Sequence, residues 1–157
     1  MAFGQKNLLP SCINLFIADV ALHWFIHFKH PASVLSYHAE TGAHTDVYIF
    51  SPQNIRRYIW SHPGLHPLGN LLPIQCPKET CRALKAWHDP KVILNKNGTE
   101  ELMITVKCKG CGHALSYEKP EKLKRFGKGL VLRGREGEWY SEDMTSTSHH
   151  EIQLGLE

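Results

Sequence analysis

Cysteines are the residues of this chain best suited to chemistry, and four of the five form two close pairs. Cys76 and Cys81 are separated by four residues, and Cys108 and Cys111 by two. Close thiolate pairs favour Zn²⁺, which takes four ligands at tetrahedral corners with Zn–S bonds of about 2.3 Å. We therefore predict one structural Zn²⁺ ion held by these four cysteines. Because four thiolates leave no coordination position for a water molecule, we do not expect the metal to be catalytic.

The segment between the two pairs predicts how the cysteine turns meet. Residues 91–94 and 102–107 are rich in β-forming residues, and Asn97-Gly98 between them is a strong hairpin signal. Two cysteine turns at the mouth of a hairpin resemble a zinc ribbon over about residues 72–117. The ribbon pattern usually has two residues inside each pair, so His88 and His113 remain alternatives to Cys81 as the fourth ligand. The resemblance implies a scaffold that most often contacts nucleic acid or protein.

Charge is distributed unevenly along the chain, although the formal net charge is only +3. Residues 107–135 contain nine basic and two acidic side chains, a net charge of +7, whereas residues 136–157 contain six acidic and no basic ones. A basic segment that begins at a cysteine turn and includes Tyr117 and Phe126 is typical of a surface that binds phosphates and stacks on bases. We predict that DNA or RNA is bound by its nine basic residues, namely Lys107, Lys109, Lys119, Lys122, Lys124, Arg125, Lys128, Arg133 and Arg135.

Two alternatives to nucleic-acid binding remain open from the sequence. In the first, the zinc module contacts a protein partner and has no nucleic-acid affinity, and its basic face is an ordinary solvated surface screened by the acidic C-terminal segment. A ββα-metal (HNH-like) nuclease needs a general-base histidine, an orienting asparagine and a metal-binding histidine, for which His88, Asn95 or Asn97, and His113 are the candidates. No Gly-X-Ser-X-Gly nucleophile motif is present, and we favour a binding protein over an enzyme.

The fold class predicted from these patterns is α+β, with N-terminal helices and a β-hairpin, then the zinc-ribbon-like β module and a basic C-terminal hairpin. A helix over residues 11–29 is apolar nearly all round, which predicts that it is buried. Residues 33–38 and 45–50 predict a hairpin around a turn at 40–43. Ser51 before Pro52 predicts the start of a second helix, which ends near residue 62. Residues 130–133 and 138–141 predict the C-terminal hairpin.

Proline and glycine in residues 61–73 predict a boundary. The division is an N-terminal helix and hairpin region (1–70), the zinc-ribbon-like module with its basic extension (71–141), and an acidic, flexible tail (142–157). In the first region Asp19, His23, His27 and His30 share one stripe of the predicted helix. We interpret the stripe as the solvent edge of the helix and not as a metal site, because no HExxH-type glutamate accompanies it.

Composition is 42% hydrophobic and 21% charged, which argues against a disordered chain and against a membrane protein. The most apolar stretch, residues 12–28, is shorter than the ~20 residues that span a bilayer, and Asp19, His23 and His27 interrupt it, so no membrane partner is expected. The first six residues lack the pattern of a secretory leader, and the odd number of cysteines argues against a disulfide framework. We therefore expect an intracellular protein, with the nucleus as a candidate location.

Residues 21–26, 38–44 and 71–77 read ALHWFI, HAETGAH and LLPIQCP. With these segments the chain resembles a portion of large, uncharacterised fungal proteins, in which a cysteine module follows a histidine-rich region. The resemblance implies that the chain is part of a larger polypeptide or a relative reduced to this portion. It brings no established activity and no catalytic residues.

Overall fold

The computed structural model describes residues 1–4, 9–98, 101–128 and 137–145. The protein has a mixed α+β fold that is mostly β, which confirms the predicted fold class. The helical elements are α1 (Pro10–Ala21), a π-helical turn (Leu22–Ile26), α2 (Ala39–His44), and 3-10 helices at Pro31–Tyr37 and Pro67–Gly69. The strands are β1 (Ala2–Phe3), β2 (Val47–Phe50), β3 (Ile55–Ser61), β4 (Lys91–Leu94), β5 (Glu101–Lys107), β6 (Ala114–Glu118), β7 (Lys124–Lys128) and β8 (Glu138–Asp143).

Two antiparallel sheets and a helical layer are stacked on one another. The larger sheet has the order β1-β2-β3-β8-β7, and the smaller has the order β4-β5-β6. Because successive residues of a strand face opposite sides, Tyr58 and Trp60 of β3 pack with the helices, while Ile59 packs with Ile104 of the smaller sheet. The centre of the larger sheet is therefore buried on both faces.

The helical layer approaches the larger sheet very closely at Gly42 of α2. Trp60 and Trp139 are opposite each other on β3 and β8, and both are completely buried. A Cβ atom at residue 42 would lie 2.3 Å from the Cβ of Trp60 and 2.5 Å from Cη2 of Trp139. Only glycine allows the helix to pack at this distance.

Residues 55–61 form the central strand β3, so the predicted helix from Ser51 to about residue 62 is wrong. Ser51 and Pro52 lie in the turn between β2 and β3 and do not cap a helix. In that turn the backbone amide of Ser51 donates to the carbonyl of Asn54 at 2.9 Å, and the amide of Asn54 donates to Ser51 Oγ at 3.1 Å. The run Tyr58–Trp60 resembles a helix face in sequence because a strand buried on both faces does not alternate.

The predicted hairpin over residues 33–50 is also wrong in its first half. Residues 31–37 form a 3-10 helix, and the predicted turn at 40–43 lies within α2. Only β2 is extended, and it pairs with β1 and β3. Val34, Leu35 and Ala39 are buried against the larger sheet, so tertiary packing holds this segment in helical form.

The first helix is confirmed from residue 10 to residue 26, but it is not buried all round. Ile13, Phe16 and Val20 are the buried residues of α1, and they pack with the sheet. The opposite side carries apolar side chains in solvent, which we call the α1 apolar face: Leu15, Ile17, Leu22, Trp24, Phe25, Ile26 and Phe28. The helix ends where Phe28 takes a φ of 52° and the amide of Lys29 donates to the carbonyl of His23.

The C-terminal strand lies near its predicted position, and β8 pairs with β3 on one side and with β7 on the other. Residues 130–133, the predicted partner strand, lie outside the described residues, as do Arg133 and Arg135. Strand β8 includes Glu142 and Asp143, the first residues of the predicted tail, whereas residues 146–157 are not described. The division of the chain at residues 70 and 141 stays a prediction. Strands β7 and β8, from the second predicted region, belong to the same larger sheet as β2 and β3, from the first.

Candidate metal centre and its basic surround

The first cysteine turn is closed by backbone hydrogen bonds at its base and within it. The amide of Cys76 donates to the carbonyl of Ala83 at 2.9 Å, and the amide of Cys81 donates to the carbonyl of Lys78 at 2.9 Å. Arg82 follows with a φ of 50°, a left-handed conformation that reverses the chain directly after the second cysteine. The four-residue spacing therefore still forms a compact turn.

The second cysteine turn uses glycines at the positions that need them. The amide of Cys108 donates to the carbonyl of His113 at 2.8 Å, and the amide of Gly112, whose φ is 70°, donates to the carbonyl of Cys108 at 2.9 Å. The amide of Gly110 points at Cys108 Sγ at 3.4 Å. Backbone amides directed at a sulfur stabilise its thiolate form, which a metal requires.

The four sulfur atoms meet where the two turns face each other, and all lie within 4.8 Å of one another. The distance from Cys76 Sγ to Cys111 Sγ is 3.8 Å, and the distance from Cys81 Sγ to Cys108 Sγ is also 3.8 Å. A tetrahedron with Zn–S bonds of about 2.3 Å has edges of about 3.8 Å. The cluster therefore fits one tetrahedral metal ion, with Cys81 as the fourth ligand. No histidine belongs to this group in the described part of the chain.

The thiols of the cluster differ in acidity because their surroundings differ. Burial raises the pKa of the Cys76 thiol to about 11. Burial also opposes ionisation of Cys108, but hydrogen bonds from the backbone of Gly110 and Cys111 and from the thiols of Cys76 and Cys81 outweigh it and lower the pKa of Cys108 to about 7. Cys108 therefore ionises more readily than Cys76 when no metal is bound.

Strand β5 divides the basic segment into two groups. Lys107 and Lys109 lie at its cysteine end, whereas Lys119 lies at the other end, where its amide donates to the carbonyl of Leu102 at 2.8 Å. Five residues of strand at about 3.4 Å each separate the two ends by about 17 Å. We call the second set the distal basic group: Lys119, Lys122, Lys124, Arg125 and Lys128. Some of its charges have partners, since Arg125 Nη2 lies 2.5 Å from Glu138 Oε1.

Three basic residues beside the sulfurs were missed by the sequence analysis because they precede residue 107. Lys78 and Arg82 lie in or next to the first cysteine turn, and Lys85 follows it; all three are exposed. The backbone joins them to the second turn, because the amide of Lys109 donates to the carbonyl of Ala86 at 2.7 Å. Charge counted over both turns, and not along one segment, would have found them. The resulting cysteine-end cluster comprises Lys78, Arg82, Lys85, Lys107 and Lys109.

An open groove of about 800 Å³ lies beside the cysteine-end cluster. Its charged and aromatic lining includes Lys85, Trp87, His88, Asp89 and Lys109. Its apolar walls come from the segments on either side of the first cysteine turn, from the turn after β3 and from β5: Leu65, Leu72, Pro73, Ile74, Pro90 and Val106. The groove combines cations with an aromatic ring, as ligand sites often do.

The three nuclease candidates do not converge in the structure. The amide of His88 donates to the carbonyl of Lys107 at 2.8 Å, and His113 precedes Ala114, which pairs with Lys107 on the other side of β5. Asn95 and Asn97, the alternatives for the orienting amide, both lie in the β4–β5 turn at the far end of the strand, about 20 Å from this point by the rise of a strand. The general base and its orienting amide are therefore far apart.

The histidine stripe of α1 is engaged in local contacts. The Asp19 carboxylate lies 2.7 Å from Nε2 of His38, a residue of the following segment, and His23 Nδ1 lies 3.0 Å from the carbonyl of Asp19. The His23 and His27 rings are in edge contact at 5.5 Å. Among the described residues, these side chains do not form a group of three or more metal ligands.

None of the helices in the described ranges is long and apolar enough to cross a membrane. Comparison with protein-family models, with curated proteins and with solved structures gave no match to this chain. The resemblance to fungal proteins therefore stays a prediction, and the function must be argued from the cysteine cluster and its surroundings.

Proposed function

We propose that this chain is a nucleic-acid-binding protein whose binding surface is organised by one structural Zn²⁺ ion. The observation that carries the proposal is the cysteine-end cluster, in which five cations surround two turns that meet at four sulfur atoms. Such cations neutralise phosphates and release the counterions condensed on the nucleic acid. The five come from two separate segments, so their proximity depends on the turns being held together.

Zinc is the metal that suits this ligand set best. Four thiolates at tetrahedral spacing select zinc or an iron–sulfur cluster, and a single closed tetrahedron suits a structural zinc. The metal holds the turns, and with them the cations, in a fixed arrangement. Reduced thiols are maintained in the cytosol and nucleus, so an intracellular location belongs to the same proposal.

A salt titration tests the proposal and separates the two basic groups. Binding of fluorescent oligonucleotides is measured by anisotropy over a range of salt concentrations for wild type and two triple variants. The first is Lys78→Ala/Lys85→Ala/Lys109→Ala in the cysteine-end cluster. Its matched control, Lys122→Ala/Lys124→Ala/Lys128→Ala, removes the same charge from the distal basic group.

The slope of log K against log salt is negative for binding to phosphates. We expect the first variant to reduce the magnitude of this slope by about 2–3, because each lost phosphate contact removes about 0.7–0.9. The control should bind nearly as wild type does. No binding of wild type to any oligonucleotide at low salt refutes the proposal, and equal losses in the two variants refute the choice of surface.

A second candidate function, a protein-interaction module, is favoured by the α1 apolar face. Phe25, Ile26 and Phe28 are 70%, 64% and 88% exposed, which is unusual for adjacent large apolar side chains. Lys29 and His30 follow them, so the complementary partner is a protein with an apolar surface bordered by carboxylates. A second copy of the chain would place these cations near one another.

A nuclease-treated pull-down tests this candidate with wild type and a Phe25→Ser/Phe28→Ser variant, alongside light scattering of the purified protein. One acidic protein bound by wild type and lost from the variant supports it. A dimer that the variant abolishes assigns the face to a second copy, and identical binding profiles remove the candidate.

A further inference from the structure

We propose, on the basis of the function proposed above, that the groove beside the cysteine turns takes single-stranded nucleic acid, with a base stacked on Trp87. The groove has a volume of about 800 Å³ and is lined by residues that flank the first cysteine turn, by Lys109 of the second turn, by Val106 of β5 and by the turn after β3. This volume lies within the range of about 300–1,000 Å³ that is typical of small-molecule sites. It suits one or two nucleotides.

Trp87 is fixed in the wall of the groove. Its Nε1 donates to the carbonyl of Pro73 at 3.0 Å, and its backbone pairs with Cys108 of the second cysteine turn. The side chain is half-buried, so part of the indole ring remains accessible. A ring whose orientation is fixed before binding loses little conformational entropy when a base stacks on it.

Cations line the same groove as this ring. Lys85 and Lys109 are exposed lining residues that lie near each other, because the amide of Lys109 donates to the carbonyl of Ala86, between Lys85 and Trp87. His62 and His88 also line the groove, and Asp89 is the one carboxylate among its described lining residues. A basic groove with an aromatic platform is the usual combination for single-strand binding.

The recessed position of the ring favours an unpaired strand over a duplex. Bases in a duplex are stacked on one another, so a side chain in a concave wall cannot reach a base face without unstacking it. Proteins that read duplex DNA insert an element into the major groove, most often a helix. In the described residues from 72 to 128 the regular elements are strands, and no helix contributes a described lining residue to this groove.

Fluorescence of Trp87 gives a direct test of the groove. Trp60 and Trp139 are fully buried, and Trp24 is 46% exposed, so a Trp24→Phe background leaves Trp87 as the accessible indole among the described residues. This protein is titrated with single-stranded oligo-dT, with a duplex of equal length, and with polyglutamate at fixed salt. We expect oligo-dT to quench the emission and to bind more tightly than the duplex.

Three variants at the groove complete the experiment. Trp87→Leu should weaken oligo-dT binding by about 5- to 150-fold, the effect of losing one stacked base. Trp87→Phe keeps an aromatic ring and should retain most of the affinity, and thermal unfolding reports whether each variant is folded. Lys85→Ala should weaken binding but leave the quenching at saturation unchanged.

The outcomes separate the groove from the proposed function. Duplex binding that equals single-strand binding, or folded Trp87→Leu with wild-type affinity for oligo-dT, overturns the groove and leaves nucleic-acid binding standing. If Trp87→Leu fails to fold, the folded Trp87→Phe variant replaces it in the test. The groove is then overturned if Trp87→Phe loses as much affinity as Lys85→Ala does and if oligo-dT does not quench the emission of wild type. Polyglutamate bound as tightly as oligo-dT assigns the groove to acidic peptides. No binding of any oligonucleotide refutes both proposals.

Discussion

Replacing Gly42 by alanine should disrupt the packing of α2 on the larger sheet. The added Cβ would lie 2.3 Å from the Cβ of Trp60, and it would lie 2.5 and 2.7 Å from two carbons of the Trp139 ring. The Trp60 Cβ is attached to the central strand and cannot rotate away, so the helix must move. Overpacking a core of this kind costs typically 1–3 kcal/mol, and we expect the upper end, about 3 kcal/mol. For a chain of this length, that corresponds to a fall in Tm of roughly 6–12 °C.

The measurement is thermal unfolding followed by near-ultraviolet circular dichroism, which reports the fixed environments of the buried tryptophans. Gly127→Ala is the matched control, because in the described part of the chain a Cβ at that position meets no atom within 4 Å. The control should change the free energy of unfolding by less than about 0.5 kcal/mol. A Tm of Gly42→Ala within about 2 °C of wild type would show that α2 does not pack against the two tryptophans as described.

Three further predictions concern the metal, a partly buried carboxyl group and a second glycine. Cys108→Ser should lose the single bound zinc and destabilise the β4–β6 sheet. The control Cys12→Ser, on α1 and away from the cluster, should keep about one zinc per chain. Metal analysis of the purified proteins checks this, and stoichiometric zinc in Cys108→Ser contradicts it. Burial, followed by the nearby charge of Glu138, raises the pKa of Glu101, so the stability that this carboxyl group contributes in its protonated form is lost as pH rises through the raised pKa. Glu101→Gln should therefore be more stable than wild type at about pH 7, and this difference in the free energy of unfolding should close towards about pH 4. Urea unfolding at both pH values tests the prediction. A difference that does not change with pH argues against burial of the carboxylate. Gly69→Ala should be destabilised by about 1–3 kcal/mol, because residue 69 has a φ of 82° and its Cβ would lie 2.3 Å from Ile59 Cγ2. Urea unfolding measures the effect, and an unchanged midpoint would mean that the turn after β3 adapts to the added methyl group.

The candidate metal centre could be predicted almost completely from the sequence. Ligand type and local spacing decide whether a turn presents two sulfurs to one metal, and both are visible in the chain. The sequence leaves the fourth ligand open among Cys81, His88 and His113, and in the structure the sulfur of Cys81 completes the cluster. The hydrogen bond from the Cys76 amide to the Ala83 carbonyl closes the longer first turn at its base, so its two sulfurs still join the cluster.

The basic surface was only partly predictable. A count along the sequence placed all nine cations in one segment, but β5 sends Lys107 and Lys119 to opposite ends of the smaller sheet. The pairing of the two cysteine turns instead brings Lys78, Arg82 and Lys85 beside Lys109. Proximity between separate segments depends on strand pairing, which sequence counting does not include.

The N-terminal half shows where local patterns fail. Gly42 has the low helix propensity of a turn residue, yet it lies in α2, where the absence of a side chain lets the helix approach the tryptophans. Ser51 and Pro52 have the chemistry of a helix start, yet they form a hairpin turn, because the following residues have buried positions on both faces of a sheet.

By itself, the sequence determined the α+β class, the four metal ligands as a candidate set, the β4–β5 hairpin and the position of the last strand. These features depend on residue type and on spacing within a few residues. The tertiary structure alone decided that residues 55–61 are a central strand, that one side of α1 remains exposed, and that cations from two segments meet at the sulfurs beside a groove. Each of these depends on which surfaces pack together, and burial against a distant part of the chain outweighs local preferences of about 1 kcal/mol per residue.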